Sequence, residues 1–140
     1  MEYKRLGKSG LHVSQICIGT MEFGDRTNAQ TAERIVSIAR EVGVNFIDTA
    51  DVNTHGKSER IIGRLIQKDR DWWVVGTKVG NSMRPDVNSQ GLNRKWLLQA
   101  IDDSLSRLAT DYIDIYYLDI DDENTRIHEV ICTLGQLIRC

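Results

Sequence analysis

One pattern constrains this chain more than any other, and it occurs four times. A short, almost wholly apolar run is followed by a segment whose apolar residues recur every 3.6 positions. The runs are 16–19, 44–47, 73–75 and 113–118. The first helix, predicted over Thr31–Val42, places Ala32, Ile35, Ala39 and Val42 on one face and stops at Gly43. The second, starting near Ser58 as an N-cap, buries Ile61, Ile62, Leu65 and Ile66. The third starts at Asn93 and carries Leu97, Ala100, Ile101, Leu105 and Leu108. The fourth starts near Thr125 and carries Ile127, Val130, Ile131, Leu134, Leu137 and Ile138. Strands alternating with amphipathic helices specify βαβ units, a parallel sheet and right-handed crossovers. Runs this apolar are strands covered on both faces.

Two architectures take four βα units: an open doubly wound sheet, or half of an eight-stranded barrel. After the first run the chain reads Gly19-Thr20-Met21-Glu22-Phe23-Gly24. That is neither a dinucleotide G-x-G-x-x-G turn nor a P-loop, so these glycines are read as turn formers. Ahead of the repeats, Tyr3–Val13 alternates around Gly7-Lys8-Ser9-Gly10, a hairpin signal. In parallel α/β folds the carboxyl ends of the strands carry the sites. Glu22, Asp48, Lys78 and Asp119 each follow a strand, so sequence order places all four on one rim.

Bulk properties narrow the function. The 140 residues are 41% hydrophobic and 27% charged, enough for one domain, residues 1–140, with its own core. The net charge is −2 and there is no basic run, so we expect no nucleic-acid partner. No apolar stretch approaches the roughly 20 residues that span a bilayer, and the first ten residues lack the apolar core of a secretory signal. The expectation is a soluble cytoplasmic protein without a membrane partner. Cys17, Cys132 and Cys140 are odd in number and widely spaced, a pattern for neither zinc nor a disulfide framework.

Further motifs make the chain resemble a known family. Tyr3-Lys4-Arg5-Leu6-Gly7, the 19–24 stretch, Phe46-Ile47-Asp48-Thr49-Ala50 and Gly56-Lys57-Ser58-Glu59 running on to Gly63 appear in order. Gly76-Thr77-Lys78-Val79, Ser104-Leu105-Ser106-Arg107-Leu108 and Thr110 to Tyr116 complete the series. Together they resemble the aldo-keto reductases from the first residues to the last. The resemblance implies a (β/α)8 TIM barrel and an NADPH-dependent carbonyl reductase. Its tetrad is Asp, Tyr, Lys and His. Hydride transfer leaves an alkoxide that the Tyr hydroxyl protonates; Lys lowers the Tyr pKa, Asp holds Lys, and a neutral His orients the carbonyl.

Carried over residue by residue, the Asp falls on Asp48 and the Lys on Lys78. The Tyr position, five residues after the Asp, holds Asn53, and the His position holds Asp119. An amide donates a hydrogen bond but gives up no proton near neutral pH, and a carboxylate repels a developing alkoxide. The resemblance also places the main cofactor-gripping segments after the seventh and eighth strands. The expectation is therefore a half (β/α)8 barrel of four parallel βα units behind an N-terminal β-hairpin, inactive as a reductase and binding no cofactor.

Alternatives stand beside it. Asp48 and Lys78 serve the fold as a relic ion pair, or serve a new non-redox reaction. Asp51, Asp119, Asp121, Asp122 and Glu123 gather a hard cation, or form a solvated acidic loop before a helix N-terminus. The segment from Asp119 is no EF-hand, with no Gly at its sixth position and Val130 at its twelfth. His55 is a replacement base or an idle loop residue. Of Tyr116 and Tyr117, at most one faces the barrel interior. Trp72 and Trp73 are expected to pack beneath the barrel floor, and the long loop Gly80–Gly91 with Pro85 to cover a site or to be mobile.

A half-barrel exposes its inner face, with Ile16, Ile18, Val75 and Ile115 among the candidates, and leaves its first and fourth strands unpaired. A two-fold homodimer pairing strand four with strand one of its copy closes eight strands. The alternatives are a hetero-partner, or the hairpin folding across the opening. A working NADPH-dependent reductase with a dimer-built site is the second functional reading.

Overall fold

The computed structural model describes residues 1–138; Cys140 lies outside them. Strands β1 (Tyr3–Arg5) and β2 (His12–Ser14) form the antiparallel hairpin, with Tyr3 opposite Ser14. The hairpin docks at the amino end of the main sheet rather than across its face. Ser14 N donates to Asn45 Oδ1 at 2.7 Å, and the Tyr3 hydroxyl donates to Gly43 O at 2.7 Å.

Four βα units follow. They are β3 (Ile18–Gly19) with α1 (Ala29–Glu41), β4 (Phe46–Asp48) with α2 (Lys57–Ile66), β5 (Val74–Val79) with α3 (Arg94–Leu108), and β6 (Ile115–Leu118) with α4 (Ile127–Leu137). The sheet is parallel and its strand order is sequential, β3-β4-β5-β6. Sequential order is the order of a barrel wall; no topological switch point is present.

Local chemistry sets the helix ends. Asn28 and Asn93 cap α1 and α3, their side chains accepting from Thr31 N and Trp96 N at 2.9 Å each. Ser58 does not cap α2. Gly56, at φ 78°, precedes that helix, and Ser58 lies buried inside its first turn. Its hydroxyl donates to Thr20 at 2.7–2.8 Å and lies 3.0 Å from the Thr49 hydroxyl, tying the ends of β3 and β4 to α2. The helix α4 starts two residues later than Thr125, after Arg126, without a side-chain cap. The fourth strand is shorter than the apolar run because Asp114 turns its carboxylate to Val75 N (2.9 Å) and to Arg70 (2.8 Å).

The main core lies between sheet and helices. It joins Ile18, Ile47 and Val75 to Ala32, Val36, Ile62, Ile66 and Leu108. This corrects the expectation that Ile18 and Val75 lie on the open face. Side chains alternate along a strand. Asp48 and Lys78 point to the barrel side, so Ile47, Thr77 and Val79 point to the helices. Val75 shares their parity, and Ile18 lies opposite Ile47 in register. Ile16 is exposed but lies ahead of β3, and Ile115 is half-buried. Trp73 is buried in the core and Trp72 packs against it, with its indole N–H on Val44 O at 3.0 Å. Gly63 lets α2 cross the end of α3 closely: a Cβ there would sit 2.4 Å from Leu108 O.

Candidate active site at the barrel rim

Lys78 on β5 and Asp48 on β4 meet at the carboxyl edge of the sheet. Lys78 Nζ is 2.6 Å from Asp48 Oδ2 and donates to Thr49 O at 2.9 Å. Both side chains keep partial contact with solvent, 23% for the lysine and 34% for the aspartate. The pair is therefore neither a buried strut nor a free surface bridge. Tyr117 stands opposite Lys78 in register, and its ring centroid is 5.7 Å from the ammonium. The ring lies back over Gly76, where a Cβ would come within 2.8 Å of Tyr117 Cε2. Cys17 faces the same group. Burial pushes its thiol up to about 11, with Asp48 adding to the shift and Lys78 opposing it. Burial and then Asp48 raise the Tyr117 hydroxyl as well. A phenol held protonated in this way is not the activated one that the tetrad chemistry requires.

Among the described residues, neither of the other two candidate positions hydrogen-bonds to the pair. Asn53 is half-buried and opens a 3-10 turn, Asn53–Gly56. Its backbone N–H reaches Ala50 O at 3.3 Å. Thr54 and His55 in this turn are left-handed, at φ 48° and 53°, a costly conformation for a β-branched residue. Thr54 is held there by its hydroxyl on Phe23 O at 2.7 Å. His55 is exposed. Asp119 is exposed at the end of β6 and accepts from Asn81 Nδ2 at 2.8 Å, which links it to the loop after β5.

That loop is fastened. Gly91 N donates to Gly80 O at 2.8 Å, and Leu92 N donates to Asp122 Oδ2 at 2.8 Å. The N–H of Leu92, the Thr125 hydroxyl and Asn124 N–H hold the Asp122 carboxyl below its usual range. Asp122 is thus an anchor between two loops, while Asp121 and Glu123 are exposed. Among the described residues, no group of three or more His, Cys, Asp or Glu is placed to hold a metal ion. Asp51 cannot join the acidic loop in such a role, because it is buried at 1% exposure. Tyr116 faces the helices and Tyr117 the barrel side, as strand alternation requires. Glu22 is exposed on the loop after β3, 3.4 Å from Arg26.

Reading the motifs one by one missed a buried network beneath the rim. Glu59 is fully buried on α2 and accepts from Arg107 of α3 at 2.5 Å and from the Thr77 hydroxyl at 2.7 Å. The signal was present: Glu59, Thr77 and Arg107 all lie in the family-like stretches. Separate helix faces do not reveal that they meet.

Comparison with known proteins settles the kinship. Residues 15–139 match the Aldo/keto reductase family. The chain belongs to the aldo-keto reductase family. It is 37% identical over 144 residues to the probable voltage-gated potassium channel subunit beta of Arabidopsis thaliana, covering 99% of this chain and 43% of that protein. It also superimposes on the holo form of an aldo-keto reductase from Bacillus halodurans with a TM-score of 0.90 and 34% identity, covering 99% of this chain and 47% of that one. This aldo-keto reductase chain thus spans less than half the length of the relatives it matches. Among the described residues, no helix is long and apolar enough to cross a membrane.

The expectation of no cofactor does not stand. Membership of this family, with a holo structure among the matched relatives, points to NADPH. The rim leaves room and a charge for such a group. A Cβ added at Gly19 would meet nothing within 4 Å, so the backbone beside Asp48 is unobstructed, and the partly exposed Lys78 ammonium is the cation at this edge. In a parallel α/β fold the strand ends carry the site, so segments placed after the seventh and eighth strands do not alone decide what these strand ends hold.

Proposed function

We propose that this aldo-keto reductase half-barrel holds NADPH at the rim of Asp48 and Lys78 but does not by itself complete carbonyl reduction. NADPH, when bound, supplies a hydride. Lys78, held by Asp48, stabilises negative charge on a carbonyl oxygen at the rim. The remaining requirement is a proton for that oxygen. The observation that carries the reading is the set of Lys78 partners: a carboxylate and a backbone carbonyl, with no hydroxyl among them. Asn53 occupies the position at which the family resemblance expects the donor, and its amide holds no transferable proton near neutral pH. Asp119, tied to Asn81, takes the place of the orienting imidazole.

We further propose that the half-barrel self-associates, pairing β6 with β3 of its copy. Apolar stripes on the two outermost helices support this: Ile35 and Ile38 on α1 with Val42 at its C-cap, and Ile127 and Ile131 on α4, are all exposed. They flank the two open sheet edges, so one two-fold contact covers both. A reductase active through a dimer-built site remains the competing reading, and the same experiment separates the two. Static light scattering over a wide concentration range gives the assembly state. NADPH fluorescence titration and NADPH oxidation with an aromatic aldehyde follow on the same sample. Binding without turnover supports the proposal. Turnover by the unmodified chain overturns the inactive reading, a failure to bind NADPH overturns the rim assignment, and a concentration-independent single-chain mass overturns self-association.

A further inference from the structure

Three buried side-chain polar atoms lack a partner among the described residues, and two of them belong to residues that feel the charges of Glu59 and Arg107. One is Asp51 Oδ2, on a residue 1% exposed; the other is the Tyr116 hydroxyl, which burial and then the Asp51 charge hold protonated. We infer that the Asp51 carboxyl is a pH-sensitive latch for the turn after β4: protonated, it stays beneath the rim beside Glu59, and ionised, it is driven out and frees residues 51–56.

The charges acting on Asp51 come from three elements. Glu59 approaches from α2, Arg107 from α3 and Asp119 from the end of β6, while Tyr116 on β6 adds a neutral hydroxyl. One guanidinium therefore serves two buried carboxylates, and it is committed to the other. Arg107 Nε lies on Glu59 Oε2, and its Nη2 lies on Ser104 Oγ at 3.0 Å. Among the described residues a second negative charge in this space has no cation of its own, and like charges in low dielectric cannot both persist. Burial first, then Glu59, raises the Asp51 carboxyl to about 7, against the opposing effects of Val52 N–H and Arg107.

The turn is built to respond. Among the described residues its backbone bond to the sheet is a long one, Asp51 N to Lys78 O at 3.3 Å; Thr54 on Phe23 O holds its far end, and two left-handed residues strain it. Ionisation adds repulsion to that strain. Because the same turn carries Asn53, its release changes the rim next to Lys78.

Hydrogen exchange on the intact chain tests this, with rates corrected for intrinsic pH dependence. Protection of residues 51–56 is expected to fall about tenfold per pH unit between about pH 5 and 7 and then to level off. In Asp51→Asn that slope disappears. Flat protection in the native chain, or the same slope in Asp51→Asn, overturns the latch. If the variant does not fold, carbon-detected NMR titration of the native chain decides. One aspartate carboxyl with a midpoint near 7 is expected, whereas midpoints all below about 5 overturn the proposal.

Discussion

Arg107 on α3 reaches α2 and places its Nε 2.5 Å from Oε2 of Glu59, a carboxylate with no exposed surface. The two residues are 48 positions apart in the chain, so the pair reports that α2 and α3 have docked. The Thr77 hydroxyl of β5 donates to the other oxygen of Glu59, joining two helices and the sheet at one point.

Arg107→Ala leaves Glu59 buried and unpaired. The expected loss is about 3–5 kcal/mol, read as a lowered urea midpoint with unchanged slope. Replacing both residues with apolar ones of similar size should cost much less, because no orphan charge remains. A loss under about 1 kcal/mol for Arg107→Ala would mean that water reaches Glu59.

The rim pair should behave oppositely. Lys78→Met removes a cation from a pair that keeps contact with solvent, so the stability loss is expected to stay within about 1 kcal/mol. NADPH binding and any carbonyl turnover should weaken more than folding does. A loss of several kcal/mol, measured by denaturation, would assign the pair to the fold instead.

Gly63→Ala should destabilise strongly although alanine favours helices. The added Cβ meets Leu108 backbone atoms at 2.4–2.8 Å, which are not the movable end of a side chain. Overpacking of this kind costs about 1–3 kcal/mol, and thermal unfolding against the parent chain measures it.

Stability should also carry a pH signature from Asp51. Its carboxyl is raised from 3.8 to about 7 in the folded chain. Between those values the folded state binds more protons than the unfolded one, so the contribution is complete below about pH 4 and is lost as pH rises to about 7. The Asp51→Asn variant should therefore gain relative to its parent across that window, by at most about 4 kcal/mol at about 1.4 kcal/mol per unit. A constant difference between the two proteins would show that Asp51 titrates normally.

Much of this was legible before any coordinates. The four βα units, the hairpin, the Asn93 cap and the placement of Asp48 and Lys78 on one edge follow from apolar periodicity and chain order, which are local. The family followed from ordered motifs. The errors have physical causes. Ser58 read as a cap because serine suits that position, but the backbone reversal at Gly56 took the role and left its hydroxyl to bridge strands. Ile18 and Val75 were assigned to the open face because an apolar strand does not announce which side each residue faces; Asp48 and Lys78, once paired, settle the parity.

By itself, the sequence determined the kinds of element, their order and the chemistry available at the strand ends, since periodicity and residue type act over a few neighbouring positions. Only the tertiary structure decided which groups share a space. It brought Lys78 to Asp48, Arg107 to Glu59 and, near that second pair, Asp51, with no cation of its own among the described residues. The two pairs join residues 30 and 48 positions apart, and the energy of a buried charge depends on what surrounds it rather than on its sequence neighbours.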